Sequence, residues 1–424
     1  MFSGVADRTS GALWRKGVTQ VGFGVSLILF CLNLFRVNPE VLPPAVAVFW
    51  LDAVILVVAL GGLLLAGVVG HRVRSSVLFL TVLAVGVAMF PVFWGGAEDK
   101  LSYAGRVIYL VVILPLVFSY WFVGRRDAVL VYSKVVVISA APMAIIVFFQ
   151  LFPAGLVSEA VHWLWGTDKL RSFSSGNPRA YGAFYNANWF GVYVVSLFLS
   201  IFYLWSAHVI RWPWAVVALL LGGMLLIASG SRTAFVGLIV ALAMCWVWVA
   251  VNRGFLAAVR VVSVSVFAGG ALVAWFFSVA DDVILRRWRE FGSGEGVSSA
   301  SRRVDTWMAS WEGISESPWF GAGVSGTPHN SYLATLEAFG LIFGAVLLGI
   351  YALVVLLALA RISEKDALLV VPMIVSFSVM AGTAEFLYTT QLMVLMSPLF
   401  IWAVWPAVMG GVESRHRLGN IKGQ

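Results

Sequence analysis

Apolar residues run through this chain in blocks of about twenty, broken by short polar punctuation, and about twenty is the length a helix needs to cross hydrocarbon. Windows of that length predict spans near 18–35, 45–69, 76–94, 104–123, 129–151, 183–206, 213–228, 233–251, 256–280, 329–360, 366–384 and 389–410. The blocks lack the alternating polar and apolar pattern of a membrane β-barrel, so the backbone must satisfy its hydrogen bonds within helices. The expected fold is an all-α polytopic membrane protein of about 12 transmembrane helices. It forms one membrane domain over 1–424, with two long loops at 152–182 and 281–328.

Composition agrees. The chain is 61% hydrophobic and 11% charged, too few charges to clothe a water-soluble surface. Its 19 tryptophans suit a protein with two membrane interfaces. The first apolar block is too long for a cleaved signal and lacks a small-residue cleavage site, so it is expected to stay as the first helix. Cys31 and Cys245 both fall inside apolar blocks and are expected to be buried thiols.

The net charge of +8 gains meaning once it is placed on turns. With the N-terminus inside, the short inner turns carry Arg72, Arg74, Arg125, Arg126, Arg211, Arg253, Arg361 and Lys365, and the C-terminus returns inside with Arg415, Arg417 and Lys422. This satisfies the positive-inside rule. The outer arginines then stand against the topology signal, and they concentrate in the two long loops and the turn at 229–232. Such charges are costly near hydrocarbon, and an anionic ligand at the outer, periplasmic face would justify them.

The loops hold the candidate chemistry. Loop 152–182 contains His162, Trp163 and Trp165, followed by a polar run from Arg171 to Arg179. In loop 281–328 the stretch 285–291 reads as a short basic helix and the Gly/Ser run 292–301 as a flexible break. Val304, Trp307, Met308 and Trp311 then fall on one helical face, with Asp305, Thr306, Ser310 and Glu312 on the other. This is an amphipathic helix, lying on the bilayer or over the bundle and ending near Pro318.

Gly321, Gly323 and Gly326 fit G-x-G-x-x-G, but no strand precedes them and they face the wrong compartment, so a glycine-rich turn is expected. Arg232 sits in a tight turn where the free N–H groups of the next helix make a phosphate cradle. His329 lies at a periplasmic helix start, where a neutral imidazole can accept a hydroxyl proton. Glu337 follows two turns later. Asp281 and Asp282 have no further metal ligands at suitable spacing and are expected at a solvated helix end. A transporter would need mid-helix ionisable residues; Asp52 and Glu385 are the main acidic candidates, and both lie near span ends.

Three pieces together resemble the O-antigen ligase/polymerase superfamily, also called the Wzy-C family: Arg179 to Asn188, Ser229 to Ala234, and Arg302 to Gly340 with Trp307, His329 and Asn330. They cover roughly 170–345. The resemblance implies a C-type glycosyltransferase fold in the bacterial inner membrane with its active site facing the periplasm. It implies a glycan moved from an undecaprenyl-pyrophosphate carrier to lipid A–core, without metal or cofactor and with inversion. Extension of the carrier-linked chain, as by a polymerase, and transfer to protein are the alternatives. His329 and Arg232 would be catalytic; Arg179, Arg302, Arg303, Asn330 and Glu337 would bind substrate. The expected partners are the carrier-linked donor, the acceptor and membrane lipids, not nucleic acid. The spacing from His329 to Gly340 resembles the ligase pattern, while Leu341, Ile342, Phe343 and Gly344 depart from the protein-glycosylating one.

Overall fold

The computed structural model describes residues 20–35, 108, 113–119, 121–122, 127–152, 159–160, 179–184, 186–260, 262–263, 297–321, 329–384 and 389–409, with the side chains of 116, 297–302, 390 and 407–409 left aside. The spans expected at 45–69 and 76–94, half of that at 104–123 and most of that at 256–280 lie outside these residues, as do most of loop 152–182, the stretch 281–296, Gly323, Gly326, Asp52 and Glu385.

Among the described residues the secondary structure is helical, with no strand. The elements are α1 (Gln20–Leu34), α2 (Leu114–Ser119), α3 (Ala128–Ile138), α4 (Ala140–Leu151), α5 (Ala187–Ser206), α6 (Trp212–Ser229), α7 (Arg232–Arg253), α8 (Val297–Glu316), α9 (Ser331–Ala360), α10 (Ala367–Ala381) and α11 (Thr390–Met409). The stretch α3–α4 and the helices α5, α6, α7 and α9 are long and apolar enough to cross a membrane; α1, α10 and α11 are shorter apolar helices. The chain is a multi-pass membrane protein, and each of these elements overlaps an expected span.

Helix α5 sits at the centre and packs on α3, α6, α7 and α10. Small residues let the backbones close in, as membrane helices require. A Cβ at Gly191 of α5 would lie 2.4 Å from that of Ala234 on α7, and one at Gly237 would lie 2.3 Å from Met380 Sδ on α10.

The turns sort into two ends. At one, Tyr203 donates to the Asp366 carboxylate, Trp248 Nε1 donates to Glu364 O at 3.0 Å, and Arg361 pairs with Glu364 at 2.7 Å while stacking on Trp402. Arg211, Arg253 and Lys365 share that end. At the other, the starts of α5, α7 and α9 meet the end of α10: Ser231 Oγ donates to Asn188 Oδ1 at 2.9 Å, Thr383 Oγ1 to Thr233 Oγ1 at 3.3 Å, and Ser331 Oγ to Ala384 O at 2.9 Å.

Two expectations need correction. Helix α8 begins at Val297, so the second half of the Gly/Ser run 292–301 is helical. The glycines of that run stop at Gly296, and 297–301 is a Val-Ser-Ser-Ala-Ser stretch with nothing to break a helix. The span 329–360 is not one rod. Gly340 takes φ 72° and ψ 176° inside α9, dividing it into arms 331–339 and 341–360. The rings of Tyr332 and Tyr351 come within 6.4 Å, whereas 19 residues of straight helix would part their backbones by about 28 Å. A Cβ at Gly344 would lie 3.2 Å from Thr335 O, so the first arm bends back across the start of the second.

Candidate functional site

The end where α5, α7 and α9 begin gathers most of the expected site. Its floor is the segment 179–184, pinned from two sides by buried glutamines. Gln150 of α4 accepts from the N–H groups of Tyr181 and Gly182 at 3.1 and 2.9 Å and donates to Gly182 O at 2.7 Å. Gln391 of α11 donates to Ala183 O at 3.0 Å. Irregular backbone at membrane depth survives only where its polar groups are met in this way. The same segment joins the 229–232 turn: Ala180 N–H donates to Ala228 O at 2.8 Å, and Arg179 Nε donates to Ser229 O at 3.3 Å.

That turn is built for a helix start. Gly230 ends α6 in the left-handed region with φ 53°, and Ser231 caps α7 by accepting from Ala234 N–H at 3.2 Å. Arg232 is therefore the first residue of α7, half-buried at the positive end of its dipole. At the head of α9, Asn330 Oδ1 accepts from the N–H groups of Tyr332 and Leu333 at 2.9 and 3.2 Å. Its oxygen thus serves as a helix cap. His329 before it holds φ 50°, a left-handed conformation uncommon outside glycine.

Helix α8 covers this end. The sequence pattern put Val304, Trp307, Met308 and Trp311 on one face, but the structure separates them. Arg303, Trp307, Ser310 and Ile314 turn inward, Ser310 being 4% exposed and Ile314 2%. Val304, Met308 and Trp311 turn outward, 48%, 60% and 58% exposed, and Asp305, Glu312 and Glu316 form a third, acidic side. Such a three-sided helix can rest on protein, lipid and water at once.

The turn after α8 holds the helix to the elbow of α9. Leu341 N–H donates to Pro318 O at 2.7 Å. A Cβ at Gly340 would stand 2.4 Å from Trp319 O, and one at Gly321 2.5 Å from Ala338 O. Gly321 has φ +73° and Gly340 φ +72°, so glycine is required at both by conformation as well as space. Gly321, the one described residue of its motif's three glycines, therefore serves a backbone contact. Glu337, 0% exposed, lies under α8, where a Cβ at Gly313 would be 3.3 Å from its Oε1.

Electrostatics ties the pieces together. Burial, and then the neighbouring Arg232, hold the Arg303 guanidinium below its usual range, although it stays charged. Partial burial, and then Arg303, push the His329 imidazole below its ordinary value, although the residue as a whole is exposed. Both causes acting on His329 favour a neutral imidazole among cations. Arg179, Arg232, Arg303 and His329 thus share one end. Arg302 lies on the α8 backbone beside Arg303, with its side chain outside the described residues. Sequence reasoning missed the glutamine clamps and the elbow. Gln150 and Gln391, polar residues inside apolar blocks, were the available signal.

The arrangement defines a polytopic membrane protein whose helix starts, an arginine group and a histidine meet under an amphipathic cover. Residues 215–349 match the family model described as O-Antigen ligase, so the resemblance read from the motifs is shown for the segment carrying Arg232, Arg303, His329, Asn330 and Glu337. The chain is also 30% identical over 246 residues to a Pseudomonas aeruginosa protein named O-antigen ligase, covering 53% of this chain and 55% of that one. It spans about half the length of that curated relative.

Proposed function

We propose that this protein is a ligase-type glycosyltransferase, which moves a glycan from an undecaprenyl-pyrophosphate carrier to a hydroxyl of lipid A–core at the periplasmic face of the bacterial inner membrane. The observation that carries this reading is the meeting of Arg179, Arg232 and Arg303 with a neutral-leaning His329 at one end of the bundle, inside the segment similar to O-antigen ligases. The opposite end carries Arg211, Arg253, Arg361 and Lys365 in short turns, which supports assigning it to the cytoplasm.

The chemistry follows from the groups. The acceptor oxygen attacks the anomeric carbon from the face opposite the pyrophosphate, giving inversion. Its proton passes to the imidazole of His329, and the carbon–phosphate oxygen bond breaks with its electron pair leaving on the carrier pyrophosphate. Arg232, at a helix N-terminus, and Arg303, with Arg179 behind the turn, stabilise that charge without a divalent ion. Glu337 and Asn330 hold the cover and the helix start in register. Arg302 binds on the donor side.

The reading is tested with purified protein in vesicles, carrier-linked glycan and lipid A–core. Arg232→Ala should abolish transfer while the protein still inserts and accumulates. Arg232→Lys should recover little, because an ammonium cannot reproduce the guanidinium fork. Full activity of the lysine variant would defeat the proposed leaving-group role. Growth of the carrier-linked chain without label on lipid A–core would make the protein a polymerase instead.

A further inference from the structure

A tryptophan indole has one polar function, an N–H that donates and cannot accept, and a buried one nearly always finds an acceptor. Two tryptophans elsewhere in the bundle follow the rule. Trp121 Nε1 donates to Ser26 Oγ at 2.8 Å and Trp248 Nε1 to Glu364 O at 3.0 Å. Trp307 does not: its Nε1 is buried and has no hydrogen-bond partner. A buried donor left open in a native protein calls for an explanation.

The position of this donor supplies one. Trp307 lies on the inward side of α8 with Arg303, Ser310 and Ile314, one helical turn beyond Arg303, a rise of about 6 Å. Arg303 feels the charge of Arg232, and its own charge is felt at His329. Further along the same helix, Gly313 lies against the carboxylate of Glu337, and the turn at 318–321 is bonded to the elbow of α9, so the inward stripe is held on the bundle at its far end. The open N–H therefore sits between an arginine pair suited to phosphate oxygens and a closed, packed helix contact. A molecule gripped by Arg232 and Arg303 would bring its next oxygens within one helical turn of the indole.

We propose that Trp307 is a donor-binding residue, its indole N–H donating to an oxygen of the carrier-linked glycan beside the pyrophosphate held by Arg232 and Arg303. This rests on the glycosyl-transfer reading above. The acceptor atom is either a phosphate oxygen or an oxygen of the first sugar, and the same chemistry serves for both. Trp307 takes no proton and touches no bond that breaks; it contributes ground-state binding.

The test is Trp307→Phe, which keeps an aromatic ring and removes the donor, with Trp307→Leu as a second donor-free variant should the first fold poorly. Each is purified in nanodiscs, and the melting temperature and both substrate dependences are measured. The KM for the carrier-linked donor should rise roughly tenfold, with kcat and the KM for lipid A–core nearly unchanged, the size expected for one lost hydrogen bond to an ionic or sugar oxygen. Binding of undecaprenyl pyrophosphate without a glycan then separates the two acceptors. A parallel loss there assigns the phosphate oxygen, and unchanged binding assigns the sugar. An unaltered donor KM in a folded variant overturns the proposal. So does a rise in the acceptor KM instead, or a lowered melting temperature with normal kinetics. Failure of the underlying reading is distinguished by Arg232→Ala, whose continued transfer would remove the pyrophosphate site itself.

Discussion

At the residue scale the proposed reaction depends on His329 being neutral when the acceptor arrives. Its pKa is depressed, by burial first and Arg303 second, so the imidazole stays unprotonated to a lower pH than the ordinary value of about 6.5. For a general base the active form is the neutral one, so kcat should hold at neutral pH and fall as pH drops through the depressed pKa. Arg303→Gln should move that acid limb upward, though not fully to the ordinary value, because burial is the larger cause and remains. The measurement is a pH–rate profile of both proteins at saturating donor. An acid limb that stays in place would show that Arg303 does not act on the histidine. His329→Ala should cost about 10²–10⁴-fold in kcat with little change in donor affinity. Arg232 and His329 were legible in the sequence because each lies at the start of an apolar block, and that placement needs no tertiary knowledge. The open indole N–H of Trp307 was not, since a missing partner is a property of the surroundings and leaves no mark on residue order.

At the element scale, Gly340 decides where α8 rests. With φ 72° and ψ 176° it holds a backbone that a side chain tolerates only at a cost of about 1–3 kcal/mol, and its missing Cβ leaves room for Trp319 O. Gly340→Ala should therefore displace the 318–321 turn and, through α8, Arg303 and Trp307. The expected outcome is a lower melting temperature together with at least about a tenfold loss of transfer, as a barrier increase of ~1.4 kcal/mol would give. Gly349→Ala, in the same helix with nothing within 4 Å of the added Cβ, is the control and should be neutral or slightly stabilising. Equal behaviour of the two variants would show that the elbow contact does not position the cover. The apolar block 329–360 hid this elbow because hydropathy measures length and composition, and a glycine costs neither. The helical period of α8 was readable, but its orientation was not: Val304, Met308 and Trp311 point outward while Trp307 turns in, a choice made by Gly313 and Gly321 packing on α9.

At the scale of the whole molecule, the proposed reaction depends on which end faces which compartment. Arg211, Arg253, Arg361 and Lys365 lie at the end where α5 meets α6, α7 finishes and α9 meets α10, while Arg179, Arg232 and Arg303 gather at the other, so in a bilayer crossed by α5, α6 and α7 the two groups would face opposite sides. That separation was already implied by the spacing of apolar blocks, because short turns between spans fix parity whatever the packing. If the site end is periplasmic, as glycan transfer to lipid A–core requires, single cysteines will report it. Glu316 is exposed at the end of α8 and Lys365 is exposed in the turn between α9 and α10, so both can be replaced without disturbing a buried contact. With Cys31 and Cys245 replaced by alanine, a membrane-impermeant maleimide added to intact cells should label Glu316→Cys and leave Lys365→Cys unlabelled until the inner membrane is opened. Salt pairing at the Lys365 end involves Arg361 and Glu364, which the substitution leaves in place. Each variant should also retain transfer, which separates a true topology from a misinserted chain. Labelling of Lys365→Cys alone in intact cells would turn the molecule over. The arginines and His329 would then face the cytoplasm, and the proposed reaction at the periplasmic face would have to be abandoned even if every contact described among them stood.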